Sequence, residues 1–279
     1  MTSQIHFLAG LPRSGNTVLS ALLNQNPDIY SSPLSYLAEL YWNITKDIHN
    51  DDELIRNEQN HTRLNDLLTT IPNVFYQDVK KPIIIDRNKA WGTPYNLNVI
   101  KNYITPNPKI ICTVRDVLEI LASYLTINYE NVKRETFETQ NFFNDYYTEV
   151  DCMAEHLMDS NGGIAKTMLS LASAFYPENK GMFHFVEYND LVNKPQETMN
   201  KVYGFLELPS YKHNFNKIKK LEIDNDIDLG ISFDMHKVRP KISPSTTSLD
   251  ILSPFIKAKY ANMEFWREDS LLEIKGKNF

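Results

Sequence analysis

Cysteine is nearly absent, with only Cys112 and Cys152 in 279 residues. Cys112 sits in an apolar run and Cys152 in a stretch of helical period. Neither a disulfide framework nor a thiolate metal site is available, and both thiols are expected to stay reduced. A basic excess is lacking too. With 29 Lys and Arg against 35 Asp and Glu, the formal net charge is -6. That excludes a general nucleic-acid binder and leaves room for a local basic pocket holding a small polyanion. No apolar run approaches the roughly 20 residues needed to cross a bilayer, and MTSQIHFLAG has no basic segment followed by a long apolar one. A soluble cytoplasmic protein with no membrane span is the expectation. Asn43-Ile44-Thr45 and Asn60-His61-Thr62 match the glycosylation sequon, but without a secretory signal they read as chance. Internal repeats and low-complexity tracts are also missing.

What is present forms a core. A hydrophobic content of 42%, with 11% aromatic residues, is enough for one large α/β domain spanning 1–279. Short apolar runs alternate with helical periods. Ile5 to Asn26 reads as strand, tight loop and helix. Ile29-Tyr30-Ser31 reads as a short strand, and Ser32-Pro33 as N-cap and N1 of a helix carrying Leu34, Leu37, Ala38 and Tyr41 on one face. A polar helical excursion is expected at about 46–77. Ile83 to Ile85, Lys109 to Val114 and Met182 to Val186 read as buried parallel strands, each followed by a helical period. The middle, from Phe137 to Leu171, is helical with a break at Gly162-Gly163, and Ile251 to Phe265 reads as a terminal helix. The fold class that follows is a central, mainly parallel sheet with helices on both faces.

The loop after the first strand, Gly10-Leu11-Pro12-Arg13-Ser14-Gly15-Asn16-Thr17, has the G-x4-G-x-[ST] spacing that lets backbone N–H groups and a helix N-terminus surround a phosphate. Asn16 stands where the nucleotide-triphosphate motif has Lys, and Arg13 lies inside the loop. The cradle is kept while the residue that reaches a β/γ-phosphate is gone. A second element, Val114-Arg115-Asp116, ends a strand and opens a helix that carries Ser123. A guanidinium offers a bidentate fork to phosphate, and the helix sets a hydroxyl beside it. Asp224 to Gly230 resembles a calcium loop in composition only. Its Gly is one position late and Met235 stands where the bidentate Glu is needed, so an acidic solvated loop is expected.

PRSGNT, from Pro12 to Thr17, resembles the 5′-phosphosulfate loop of the sulfotransferase family, and most closely its tyrosylprotein branch. R-x7-S from Arg115 to Ser123 is similar to that family's 3′-phosphate element. Glu187-Tyr188-Asn189-Asp190-Leu191 and Val238-Arg239-Pro240 are similar to two further family segments. The resemblance implies a P-loop-like sulfotransferase fold with 3′-phosphoadenosine 5′-phosphosulfate (PAPS) as cosubstrate and no metal. Pro12, Arg13, Ser14, Gly15, Asn16, Thr17, Arg115, Ser123, Tyr188 and Arg239 are the implied nucleotide-binding residues. Arg13 and Lys89 are implied to neutralise charge on the transferring group. The implied acceptor is a hydroxyl or amine, on a saccharide, peptide tyrosine, lipid or small metabolite. Where the family's tyrosylprotein and heparan members place a base Glu, this chain has Ser32-Pro33-Leu34-Ser35, which leaves Glu39 and Asp86 in contention. His6 and His184, in apolar strand runs, read as satisfied core histidines. A P-loop kinase or triphosphatase, and a non-catalytic nucleotide-binding protein of the same fold, are the rival readings.

Overall fold

The computed structural model describes residues 3–46, 58–132, 148–219, 238–244 and 247–267. Five strands form one parallel sheet: β1 (Gln4–Gly10), β2 (Ile29–Leu34), β3 (Ile83–Arg87), β4 (Ile110–Val114) and β5 (Phe183–Glu187), in the order β2-β3-β1-β4-β5. Alternate residues of each strand enter two separate cores. Phe7, Ala9, Ile84, Ile110, Cys112 and Val114 face one, while Leu8, Ile29, Ile85, Ile111 and Val186 face the other. Burial on both faces is why the central strands are almost wholly apolar.

On the first face lie α2 (Leu37–Thr45), α3 (Glu58–Phe75), α4 (Pro94–Val99, continued as a π-turn over Ile100–Ile104), α5 (Val117–Val132), α6 (Glu149–Met158) and α7 (Ala165–Ala172). On the second lie α1 (Asn16–Leu23), α8 (Tyr188–Asn193) and α9 (Pro195–Leu206). Helix α10 (Pro254–Tyr260) returns the chain to the first face. The chain leaves β1 toward β2 on one side, and β3 crosses over β1 to reach β4 on the other. The crevice of an open α/β sheet opens at such a reversal, beyond the carboxyl ends of β1 and β4. The Gly10 loop and Arg115 both begin there.

Two expectations need correction. Ser32-Pro33 does not start a helix, because β2 runs through it to Leu34 and the helix begins at Leu37. Proline is tolerated because β2 is an edge strand with a register shift between Ser31 and Leu34. The Ser32 hydroxyl accepts the Arg87 N–H at 2.9 Å, completing the ladder at the irregularity instead of capping a helix. Of the helical excursion expected at about 46–77, a helix over Glu58–Phe75 is described, running through a buried Pro72. The terminal helix from Ile251 to Phe265 is in fact α10 between two 3-10 turns, Leu249–Ile251 and Phe265–Arg267. Ser253 caps it with Pro254 at N1, and Asn262 in the left-handed region lies just past its end. The acidic run at Asp224 lies outside the described residues.

Candidate functional site

The loop is shaped by two glycines. A Cβ on Gly10 would lie 2.4 Å from Thr113 Oγ1 and 2.7 Å from the Thr113 carbonyl, so only glycine lets β1 end this close to β4. Gly15, at φ 95°, is the N-cap of α1, with the Tyr188 ring 3.1 Å from where a Cβ would stand. The Ser14 side chain is fully buried and bonds the Leu11 carbonyl at 2.6 Å, the Thr113 carbonyl at 2.9 Å and the Thr113 hydroxyl at 2.7 Å. Asn16 turns inward as well, donating from Nδ2 to the Leu11 carbonyl at 2.8 Å. These two side chains brace the loop, which leaves its backbone to meet a ligand. Among the described residues no side chain caps α1, and the first bond into the helix runs from the Leu19 N–H to the Gly15 carbonyl. The N–H groups of Asn16, Thr17 and Val18 therefore precede the helical ladder, an arrangement that suits an anion. Pro12 and Thr17 are half-buried.

Beside the loop a second group converges. Arg115 is 3% exposed. Its Nε donates to Glu119 Oε2 at 2.8 Å, its Nη1 to the Arg13 carbonyl at 3.3 Å and its Nη2 to Thr247 Oγ1 at 3.3 Å. Its guanidinium carbon lies 4.4 Å from the centre of the Tyr188 ring, a cation–π stack. Arg13, held at φ 60°, donates from Nε to Ser123 Oγ at 3.3 Å. Each terminal nitrogen of Arg115 carries a second N–H beyond these bonds. Arg13, Arg115, Ser123 and Tyr188 are thus gathered in one place. Arg13, which the family resemblance gave to the transferring group, turns its side chain toward Ser123.

The carboxylates separate clearly. Asp86 has no exposed surface and accepts from Ser35 Oγ (2.6 Å), Trp91 Nε1 (2.6 Å) and the Tyr76 hydroxyl. Burial raises its pKa, and those three hydrogen bonds oppose the rise. In contention as the base, Asp86 instead sits inside the fold as an acceptor that ties β3 to Ser35 just before α2, Tyr76 just after α3 and the turn at Trp91. Glu39, in the first turn of α2, is half-buried. Its Oε2 accepts from Asn88 Nδ2 at 2.7 Å. Asn88 also donates from Nδ2 to the Ser35 carbonyl at 2.7 Å, and its backbone N–H reaches the Leu8 carbonyl at 3.0 Å. This one residue links Glu39 to the carboxyl ends of β1 and β3. Lys89, next in sequence, is exposed at the start of a 3-10 turn.

Arg239 is exposed, on a segment tied to 215–218 by Ile218 N–H to the Pro240 carbonyl and Ile242 N–H to the Phe215 carbonyl. Thr247, further along the chain, accepts from Arg115 Nη2. Glu119 and Thr247 went unnoticed in the sequence, where Asn88 is only one member of the polar cluster after the third strand. Glu119 had a signal, an acid four residues after Arg115 on a helix, whereas Thr247 is 132 residues away. No group of three or more His, Cys, Asp or Glu among the described residues is arranged to hold a metal, and no described helix is long and apolar enough to cross a membrane.

The sheet order and the uncapped strand-loop-helix cradle define a nucleotide- or anion-binding α/β protein. Within that class the chain belongs to the sulfotransferase family, whose family model matches residues 6–213, about three-quarters of its length. Among solved structures, a sulfotransferase from Alicyclobacillus acidocaldarius is 14% identical, with 82% of this chain and 90% of that chain covered at a TM-score of 0.47. The sulfotransferase domain of the Synechococcus PCC 7002 olefin synthase is 15% identical, covering 90% and 92%, also at 0.47. A mouse sulfotransferase complexed with PAP is 17% identical, covering 75% and 60%, at 0.43. No curated protein matches the chain. The family assignment rests on the match over 6–213, and the likeness of Pro12 to Thr17 to the tyrosylprotein branch remains that of one loop.

Proposed function

We propose that the chain is a single-domain, PAPS-dependent sulfotransferase that moves a sulfuryl group to a hydroxyl or amine of an acceptor. The observation that carries this is the convergence of Arg13, Arg115, Ser123 and Tyr188 beside an uncapped, lysine-free phosphate cradle. When bound, PAPS supplies the activated sulfuryl group. The N–H groups of the loop and of the α1 start hold the 5′-phosphate end. Arg115, Ser123 and, in its present rotamer, Arg13 hold the 3′-phosphate with charged hydrogen bonds, and the Tyr188 ring backs Arg115. Lys89 brings positive charge to the oxygen where charge develops. Glu39, oriented by Asn88, takes the acceptor's proton, and Asp86 keeps a structural role.

The kinase reading is disfavoured because Asn16 is bonded back into the loop, where a triphosphate-binding lysine would reach outward. Binding of 3′-phosphoadenosine 5′-phosphate (PAP) and of 5′-AMP, compared by calorimetry, tests the proposal. PAP is expected to bind at least tenfold more tightly, since one charged hydrogen bond contributes about 1.5–3 kcal/mol. Equal affinities would overturn the assignment.

A further inference from the structure

The segment from Thr247 to Arg267 lies beyond the part of the chain matched by the family model, yet it reaches the Arg115–Tyr188 stack from three directions. Arg115 and Tyr188 each stand one residue past a paired couple, Val114 and Glu187, in the β4–β5 register. Their stacking therefore depends on what holds the two strand ends after the ladder stops. Glu187 is held by the C-terminal segment, its Oε1 accepting from Trp266 Nε1 at 2.9 Å and Arg267 Nε at 2.7 Å, and its Oε2 from Arg267 Nη2 at 3.2 Å. On the other strand, the Val117 N–H that opens α5 donates to Glu264 Oε1 at 2.9 Å. That N–H has no partner within the helix itself. Thr247 Oγ1 takes a hydrogen bond from Arg115 directly. The segment is firmly seated, with Phe265 fully buried, edge-on to Phe175 at 5.8 Å and to Trp266 at 5.3 Å.

We propose that residues 247–267 form a clamp that sets Arg115 and Tyr188 for the 3′-phosphate, with Glu264, Trp266 and Arg267 as positioning residues and Glu187 as their anchor. This rests on the PAPS reading above. Side-chain exposures of 47% at Arg267 and 23% at Glu187 put the pair where an ion pair adds little to global stability. Its loss is therefore separable from unfolding.

The test measures PAP and 5′-AMP affinities by calorimetry, alongside thermal melts, for the unmodified protein, Arg267→Gln, Glu187→Gln and Arg267→Lys. The two Gln variants are expected to lower the PAP to 5′-AMP preference by roughly three- to tenfold, the scale of one weakened charged hydrogen bond. Their 5′-AMP affinity and melting temperature are expected to stay near those of the unmodified protein, and Arg267→Lys is expected to restore part of the preference. A preference present in the unmodified protein and unchanged in both Gln variants would overturn the clamp alone, as would equal losses for both nucleotides. Absence of any preference in the unmodified protein would overturn the PAPS reading and the clamp with it.

Discussion

An arginine at φ 60° occupies a region that costs an L-residue on the order of 1–2 kcal/mol relative to right-handed backbone. Arg13 stays there with its carbonyl bonded to Arg115 and its Nε to Ser123. The strained conformation thus aims a cation at the Ser123 hydroxyl while it offers its carbonyl to Arg115. Two substitutions separate side chain from backbone. Arg13→Gly is expected to raise the melting temperature slightly, because glycine accepts this φ freely. Both Arg13→Gly and Arg13→Ala are expected to weaken PAP binding by roughly tenfold, the scale of a lost charged hydrogen bond. Intact PAP affinity with lost turnover would instead put Arg13 on the transferring sulfuryl group, the role its place in the loop implied. The two carboxylates differ in the same measurable way. Glu39→Gln is expected to lower turnover by about a hundredfold or more, the usual scale for a general base, with the melt unchanged. Asp86→Asn puts an NH2 among three donors, and an unmet buried group costs about 1–3 kcal/mol. It is expected to lower the melting temperature, and a normal melt there would contradict the structural role given to Asp86.

At the scale of elements, what was legible in the sequence was local. The β1 loop and α1, and Val114 through Ser123, carry their own signals within a few residues: glycines, an apolar period, an arginine at a strand end. Those are the elements that bring Arg13, Arg115 and Ser123 together. Ser32-Pro33 misled because a serine before a proline is a good helix start and an equally good edge-strand irregularity. The decision came from Arg87, 55 residues away, whose N–H needs the Ser32 hydroxyl. The same distance problem hid Thr247 and Glu264, since nothing near either residue says that it meets Arg115 or the start of α5. Ser32→Ala isolates this effect. It removes the acceptor of a buried N–H, at a cost of about 1–3 kcal/mol. In native-state hydrogen exchange, the Arg87 amide is expected to lose protection more than the Ile85 amide, which lies deeper in β3. Unchanged protection at Arg87 would show that the bond is dispensable.

Over the whole molecule, the site occupies the carboxyl edge of the sheet, and the core beneath contains a histidine that the proposed chemistry does not use. His6 is 2% exposed in the middle of β1, and among the described residues its Nε2 has no hydrogen-bond partner, unlike the satisfied core histidine its sequence context suggested. Burial is the main cause that lowers its pKa to about 4. The nearby Lys109 adds to the effect, and Glu207, paired with Lys109 at 2.6 Å, opposes it. In the unfolded chain the ring titrates near 6.5. Between about 6.5 and 4 the unfolded chain therefore binds a proton that the folded protein refuses, so stability is complete above 6.5 and falls as the solution is acidified toward 4. At about 1.4 kcal/mol per pH unit the loss from this residue has an upper bound of about 3 kcal/mol, a large share of the total for a domain of ordinary stability. His213, in an aromatic cluster with Tyr203, Tyr211 and Phe215, is also lowered to about 4, and His184, stacked on Phe205, is lowered as well. Urea unfolding followed from pH 7.5 to 4.5 is expected to show this decline in the unmodified protein. His6→Leu, which fills similar space without a proton site, is expected to flatten it by the part belonging to His6 and leave the part belonging to the other two. A pH slope identical in the two proteins would mean that His6 finds a proton acceptor in the folded state and that the acid sensitivity arises elsewhere.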